Sequence, residues 1–367
     1  MKYSLEKKCS EIQHQTRSFC MFVLFIIGSM VCACKNDKSE TSVTKEKENT
    51  IRIKSKDSIP SGMVWIPEGT FFQGAKKSDT LAMAHEMPRH SVHIDSFLID
   101  IHEVTNAQFD KFVQETKYIT LAERPVDWEE LRKQLPPGTP KPADSILQPG
   151  SLIFKDRPDG VANLYNFSQW WEWKNGANWK HPQGPESDIL GKENYPVVHV
   201  AYEDALAYCK WAGRELPTEA QWEYAATGGE KNKVFFWGNQ LEAVAAMANT
   251  YTGDFPKNDD KSDGYSNTAP VKTYPANNFG LYDTAGNVWE WTSDWYDPNY
   301  YSQIHEQVLS NPSGPNQPIN GRPEKVIKGG SFLCNDTYCA SFRISARMGN
   351  SLDSSSEHKG FRTIINK

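Results

Sequence analysis

The sequence predicts an α+β domain with unusually little regular secondary structure. Three observations carry this expectation. The 367 residues include 12 Trp, 24 Gly and 22 Pro, which suits an irregular, loop-rich globule better than a helical bundle or a parallel-sheet fold. Strand candidates are short and punctuated by turn residues. Convincing helical periodicity is confined to a few segments.

Residues 63–66 and 91–94 alternate or run apolar, and Pro67-Glu68-Gly69 marks a turn. From Thr105 to Val113, residues Phe109, Phe112 and Val113 recur at helical spacing, with Thr105 or Asn106 as cap. The stretch 119–195 is rich in Pro, Gly and Trp and reads as long ordered loop, with a short helix over 127–135. Loops of this length inside a compact domain are usually functional or metal-pinned. The second helix spans 202–212, with Ala205, Leu206, Tyr208 and Cys209 on its apolar side. The third spans 217–225, where Thr218 and Gln221 form a capping box. Beyond residue 236 the chain is Gly- and aromatic-rich, with strand candidates such as 325–328. No repeat of fixed period occurs. Residues 61–367 read as one continuous domain.

The N-terminal residues read differently. Lys7, Lys8 and Arg17 precede an apolar run from Phe19 to Ala33. At about 15 residues the run falls short of the roughly 20 that a spanning helix needs and fits a signal-peptide core. It ends in Val31-Cys32-Ala33-Cys34, which looks like a lipobox. Residues 1–33 are then a lipoprotein signal peptide and Cys34 the lipidated first residue; the other reading is an uncleaved anchor with incidental cysteines. Residues 34–60 are dominated by Lys, Glu, Ser, Thr, Asn and Asp, too polar to offset their ordering entropy, and read as a flexible tether. The expectation is an exported lipoprotein on the periplasmic side of the membrane or at the cell surface, contacting the membrane through its lipid only. Lys35 in place of Asp hints at outer-membrane sorting. The net charge of −6 gives no sign of nucleic-acid binding.

Of seven cysteines, only Cys209, Cys334 and Cys339 fall in the domain, too few for a disulfide framework. Cys209 reads as a buried core thiol. Residue types alone favour a disulfide between Cys334 and Cys339. Thiolates also select Cu(I), zinc or iron–sulfur, but zinc and iron–sulfur centres want four ligands, and no second cysteine pair exists. Two thiolates can hold Cu(I) and leave room for a third soft ligand.

Several segments together resemble the formylglycine-generating enzyme (sulfatase-modifying factor) family. They are Gly213-Arg-Glu-Leu-Pro-Thr-Glu-Ala-Gln-Trp-Glu-Tyr-Ala-Ala226, Gly280-Leu-Tyr-Asp-Thr-Ala-Gly-Asn-Val-Trp-Glu-Trp-Thr-Ser-Asp-Trp295, Lys328-Gly-Gly-Ser-Phe332 and Lys359-Gly-Phe-Arg362. These occur across a superfamily that includes binding proteins and iron-dependent sulfoxide synthases. Two others resemble its formylglycine-generating branch: residues 176–188, and Gly329-Gly-Ser-Phe-Leu-Cys-Asn-Asp-Thr-Tyr-Cys339 followed by Arg343, Arg347 and Asp353-Ser-Ser355. The resemblance covers roughly residues 61–367 and implies a modified C-type-lectin-like fold. It implies an enzyme that holds Cu(I) between Cys334 and Cys339. A cysteine of a sulfatase Cys-x-Pro-x-Arg segment joins as third ligand, O2 serves as co-substrate, and the substrate Cβ–H is cleaved. Hydrolysis of the thioaldehyde leaves formylglycine. Ser331 and Trp289 would wall the pocket, with Arg343 and Arg347 bracing it.

The resemblance further implies structural Ca2+, which takes hard oxygen ligands from loops. One site would use Asn249, Thr250, Asp263 and Tyr265, the other Asp283, Gly286, Val288 and Glu290; Thr250, Tyr265, Gly286 and Val288 would supply carbonyls only. Asp283 stands where Asn is often found. Both segments also have the composition of acidic solvated loops. Trp170 and Trp171 match paired tryptophans lining the substrate groove, and Ser355 is a weaker substrate-binding candidate. The loop 124–165 departs from the family pattern. Cysteines that form disulfides in animal relatives are absent, with Ile344 and Thr363 in two of their places. The chain is expected to be a monomer. The competing reading is a non-catalytic, lectin-like surface lipoprotein of the same superfamily, which has no need of the cysteine pair. An iron sulfoxide synthase is disfavoured because the nine histidines form no His-x3-His-x-Glu pattern.

Overall fold

A computed structural model describes residues 59–319 and 323–367. The signal peptide, Cys34 and nearly all of the tether lie outside the described residues. In chain order the strands are β1 (Met63–Ile66), β2 (Gly69–Gln73), β3 (His90–Ile94), β4 (Phe97–Asp100), β5 (Gly150–Phe154), β6 (Trp171–Asn175), β7 (Gly253–Asp254), β8 (Asn258–Asp259), β9 (Trp289–Trp295), β10 (Leu309–Ser310), β11 (Glu324–Lys328), β12 (Arg347–Ser351), β13 (Lys359–Gly360) and β14 (Ile364–Asn366). The α-helices are α1 (Asn106–Thr116), α2 (Trp128–Leu131), α3 (Tyr202–Ala212), α4 (Glu219–Ala226), α5 (Val244–Met247) and α6 (Tyr300–Ile304). This is the expected α+β architecture with sparse regular structure. Among the described residues, no helix is long and apolar enough to cross a membrane.

The helices begin where local chemistry dictates. The Thr105 hydroxyl accepts the Gln108 N–H at 3.3 Å, and the Gln108 side chain accepts the Thr105 N–H at 2.8 Å. Thr218 and Gln221 repeat the exchange at 3.1 and 3.0 Å. Each pair satisfies donors that a helix start leaves free. Gly213, at φ 64°, ends α3 in the left-handed region that glycine adopts without steric cost. Leu206, expected on the apolar side of α3, is exposed, whereas Ala205, Tyr208 and Cys209 are buried as expected.

The sheets carry the long-range order. Strand β4 lies between β1 and β14, so sequence-distant ends of the domain share one sheet. The four-stranded sheet runs β12-β11-β9-β13 and supports the site. Strand β9 was not anticipated, because its sequence Trp-Glu-Trp-Thr-Ser-Asp-Trp looks half solvated. Its polar positions Glu290, Thr292 and Asp294 are nevertheless buried, which requires partners brought from elsewhere.

The stretch 119–195 is not wholly loop. It contains the antiparallel β5–β6 pair, with Gly150 opposite Asn175 and Phe154 opposite Trp171. No hairpin signal marks this pair, because the connection spans residues 155–170 rather than a tight turn. The short helix expected over 127–135 is present as α2 followed by a 3-10 turn at Arg132–Gln134.

Candidate active site

Strand β11 delivers the chain into Gly329 and Gly330, at φ 91° and 74°. A Cβ on Gly330 would lie 2.8 Å from the Ser341 carbonyl carbon and 2.9 Å from the Phe342 nitrogen. Only a bare backbone lets the segment 331–340 close on itself here. Within it, Cys334 N–H donates to the Ser331 carbonyl at 2.9 Å, and Cys334 O accepts from Tyr251 N–H at 3.1 Å.

Asn335 holds the loop shut. Its backbone carbonyl accepts from the N–H groups of Tyr338, Cys339 and Ala340 at 3.2, 3.0 and 2.9 Å. Its side-chain amide donates to the carbonyls of Tyr251 and Gly253 at 3.0 and 3.1 Å, and its side-chain oxygen accepts from Thr337 N–H at 2.9 Å. No local motif marks Asn335, because its partners lie 84 and 82 residues away.

Both sulfurs are free thiols, not the disulfide that residue types alone favoured. Cys334 is buried and Cys339 half-buried. Burial, and the hydrogen bond to Cys339, push the Cys334 thiol well above its ordinary range. The Cys339 thiol is pulled down to about 7, chiefly by the hydrogen bond with Cys334 and further by bonding to Ser341 and Asn335. Near neutral pH the pair is one thiol donating to one thiolate. Cys209 contrasts with it: burial pushes its thiol up to about 12, as suits an inert core residue.

Trp289 opens β9, is buried, and packs in the same apolar cluster as Cys334 and Ala340. Its N–H donates to the His358 carbonyl at 2.8 Å. Ser331 is buried and bonds the Cys334 thiol through its hydroxyl. Cys334, Cys339 and Ser331 are thus gathered at one place, and Trp289 lies in the apolar cluster that Cys334 joins.

An aromatic cluster adjoins the loop. Trp170 meets Tyr338 edge-on, with ring centroids 5.7 Å apart, and Trp171 at 5.7 Å. Trp170 is buried, so it forms the wall, while Trp171 is half-exposed. Ser355 is buried and its hydroxyl bonds Ser151 of β5 at 2.7 Å. Its geometry is that of a tie for the hairpin rather than of a group presented to substrate. His358, which no motif in the sequence marks, meets Trp171 edge-on at 4.8 Å and is kept neutral by burial. Arg343 pairs with Glu86 at 2.6 Å and with Asp79 at 3.1 Å, and Arg347 with Glu219 at 2.6 Å. These arginines hold the scaffold together and their charge is spent there.

The two acidic loops proposed for calcium differ from one another. Both Asp263 oxygens accept backbone N–H groups, from Thr250 at 2.8 Å and Tyr265 at 3.1 Å, an arrangement that a plain loop also makes. Glu290 is spent as well. Its oxygens accept from Arg362 at 2.6 and 2.7 Å and from Trp222 at 2.8 Å. By contrast, Asn249, Asp283 and Thr284 each bury a side-chain oxygen that has no hydrogen-bond partner. Among the described residues, no three His, Cys, Asp or Glu side chains converge as a metal cluster.

The sequence profile described as sulfatase-modifying factor enzyme 1-like domain matches residues 49–367, starting earlier than the expected domain boundary at 61. A formylglycine-generating enzyme from Bos taurus is 40% identical over 306 residues, covering 83% of this chain and 75% of the relative. A Mus musculus protein named inactive C-alpha-formylglycine-generating enzyme 2 is 37% identical over 307 residues, covering 82% and 84%. Among solved structures, PvdO from Pseudomonas aeruginosa superposes with a TM-score of 0.55 at 22% identity over 82% of this chain and 93% of that one, a likeness of fold. The chain therefore belongs to the sulfatase-modifying factor family. Within that family it is an enzyme of the formylglycine-generating kind.

Proposed function

We propose that the chain converts the cysteine of a sulfatase Cys-x-Pro-x-Arg segment to formylglycine, with Cu(I) held by Cys334 and Cys339 and O2 as co-substrate. The observation that carries this reading is the free, hydrogen-bonded thiol pair. Cu(I) favours soft thiolate donors, and a half-formed thiolate pair with no third protein ligand among the described residues fits a metal that must also accept a substrate sulfur. When bound, the copper would supply the redox chemistry with O2.

The chain's own residues prepare that chemistry. Cys339 carries the negative charge and Cys334 the proton, and Asn335 fixes their spacing through the backbone. Ser331 orients the buried thiol, and Trp289 closes one side against water. The wall of Trp170, Trp171 and Tyr338 offers apolar faces to an extended peptide. Turning a substrate CH2–SH into CH=O removes two electrons and two protons; water adds, sulfide leaves, and O2 takes the electrons.

Two further features belong to this proposal. Cys34 is lipidated and tethers the enzyme to a membrane surface, a reading supported by the apolar run that ends in Val31-Cys32-Ala33-Cys34. Ca2+ stabilises the loop 283–290, with Asp283 as its carboxylate. The buried, partnerless oxygen of Asp283 fits a hard cation.

The test is mass spectrometry of a co-expressed sulfatase segment. Wild type converts the cysteine, whereas Cys334→Ser and Cys339→Ser each abolish conversion while keeping the wild-type thermal melt. Full conversion by either variant refutes the two-thiolate site.

A further inference from the structure

We infer that the outward edge of β6 docks peptide: a flank of the sulfatase segment, leaving the cysteine pocket, adds to this edge as a third strand. This rests on the sulfatase reading above and names how the substrate is held beyond its reacting cysteine.

The hydrogen-bond register decides which way the β6 backbone faces. At one end of the pair Lys155 N–H donates to Trp170 O at 3.0 Å, and at the other Gly176 N–H donates to Pro149 O at 2.8 Å. Between them Phe154, Leu152 and Gly150 stand opposite Trp171, Trp173 and Asn175. Antiparallel ladders alternate bonded and non-bonded pairs. The backbone groups of Glu172 and Lys174 therefore turn toward β5, and those of Trp171, Trp173 and Asn175 turn away. Leu152 shows the same alternation from the other side. Its carbonyl accepts Glu357 N–H at 3.1 Å and its N–H donates to Ser355 O at 3.5 Å, both away from β6.

The two edges of this sheet differ. Segment 355–357 covers the outer edge of β5, where Leu152 and Ser356 form a parallel bridge. Among the described residues, β6 has β5 as its sole strand partner, and no proline or bulge interrupts it. Its outward N–H and C=O groups, recurring at every second residue, are a template for an added strand. The side chains agree with an open edge. Trp173 and Asn175 are exposed, as is Ile146, which with Trp173 and Pro185 lines an open cleft of about 730 Å³ beside the strand.

The occupant follows from where the edge begins. Trp170 meets Tyr338 edge-on, and Tyr338 adjoins Cys339. An extended chain leaving the cysteine pair past Trp170 meets the backbone of Trp171 first and that of Asn175 about 13 Å further on. Alternate side chains of the added strand share a face with Trp171 and Trp173. Affinity then comes from main-chain bonds, so one enzyme can serve sulfatases whose flanks differ in sequence.

The experiment follows conversion by the full chain with mass spectrometry. The substrates are a minimal Cys-x-Pro-x-Arg peptide, the same peptide with flanks of about five residues on each side, and flanked peptides N-methylated at one flank position at a time. The flanks should lower KM about tenfold with kcat unchanged, and N-methylation should raise KM about fivefold at every second position of one flank only. Trp173→Pro removes one outward N–H and no bond to β5, so it should shrink the gain from the flanks. Trp173→Ala keeps that N–H and should keep the alternation. Equal KM for minimal and flanked peptides, or methylation effects without alternation, overturns the added strand and leaves Glu172 and Lys174 as plain guards of an edge. A wild-type dimer in sedimentation that Trp173→Pro makes monomeric assigns the edge to a second copy and overturns it as well. Failure of wild type to convert any of the peptides sinks the sulfatase reading itself and this inference with it.

Discussion

Replacing Asn335 by Ala should loosen the cysteine loop without touching either sulfur. The side chain makes four hydrogen bonds; the one from the exposed Thr337 hydroxyl at 2.5 Å can pass to water, leaving three with backbone groups: to Tyr251 O at 3.0 Å, to Gly253 O at 3.1 Å and from Thr337 N–H at 2.9 Å. At about 1 kcal/mol net for each, their loss costs about 3 kcal/mol. For a domain of this size about 2 °C accompanies each kcal/mol, so the melt should fall by about 6 °C. The functional effect should exceed the stability effect. The backbone carbonyl of residue 335 would still hold Cys339, but the loop would lose its anchors at 251 and 253. A displacement of about 1 Å at reacting atoms can cost about a hundredfold in rate. Conversion of a sulfatase peptide should be followed by mass spectrometry at a temperature where the variant is fully folded, beside a melt by circular dichroism. An Asn335→Ala protein that melts within about a degree of wild type and converts peptide at the wild-type rate would show that the staple is incidental.

Two other outcomes follow from the charges and the leader. Burial raises the Glu357 carboxyl to about 7 from an ordinary value of 4.5. A raised folded-state value means that the protonated form favours folding, so this contribution is present below the ordinary value and lost as pH rises through about 7. Glu357→Gln should therefore gain melting temperature relative to wild type on going from pH 5 to pH 8, whereas a difference independent of pH refutes the cause. In cells, globomycin should cause a precursor to accumulate, and Cys34→Ala should lose its lipid; an unchanged mature mass in that variant refutes lipidation.

What the sequence made legible is what local chemistry decides. The caps at Thr105 and Thr218 lie within three residues of their partners, and both formed. The cysteine pair was legible as a family motif, although residue types alone pointed to a disulfide that is absent. What stayed hidden depends on partners far along the chain. Strand β9 looked half solvated because Glu290 pairs with Arg362, 72 residues away. Nothing in the sequence marks Glu103, whose hydrogen-bond partner, Asn287, lies 184 residues on. Ser355 resembled a substrate contact by position, yet its hydroxyl is committed to Ser151, which no spacing rule connects to it.

The segment 355–359 gathers ties to most of the pocket. Ser355 holds β5, and Glu357 accepts the Phe154 N–H and the Gln183 amide. His358 receives the Trp289 N–H, and Lys359 pairs with Trp289 in the sheet. Every one of those partners is synthesised before residue 355. The thiol pocket therefore closes only when a segment that follows both cysteines in the chain has docked: without residues 355–359, β5, Gln183 and Trp289 lose the ties they share around Cys334 and Cys339.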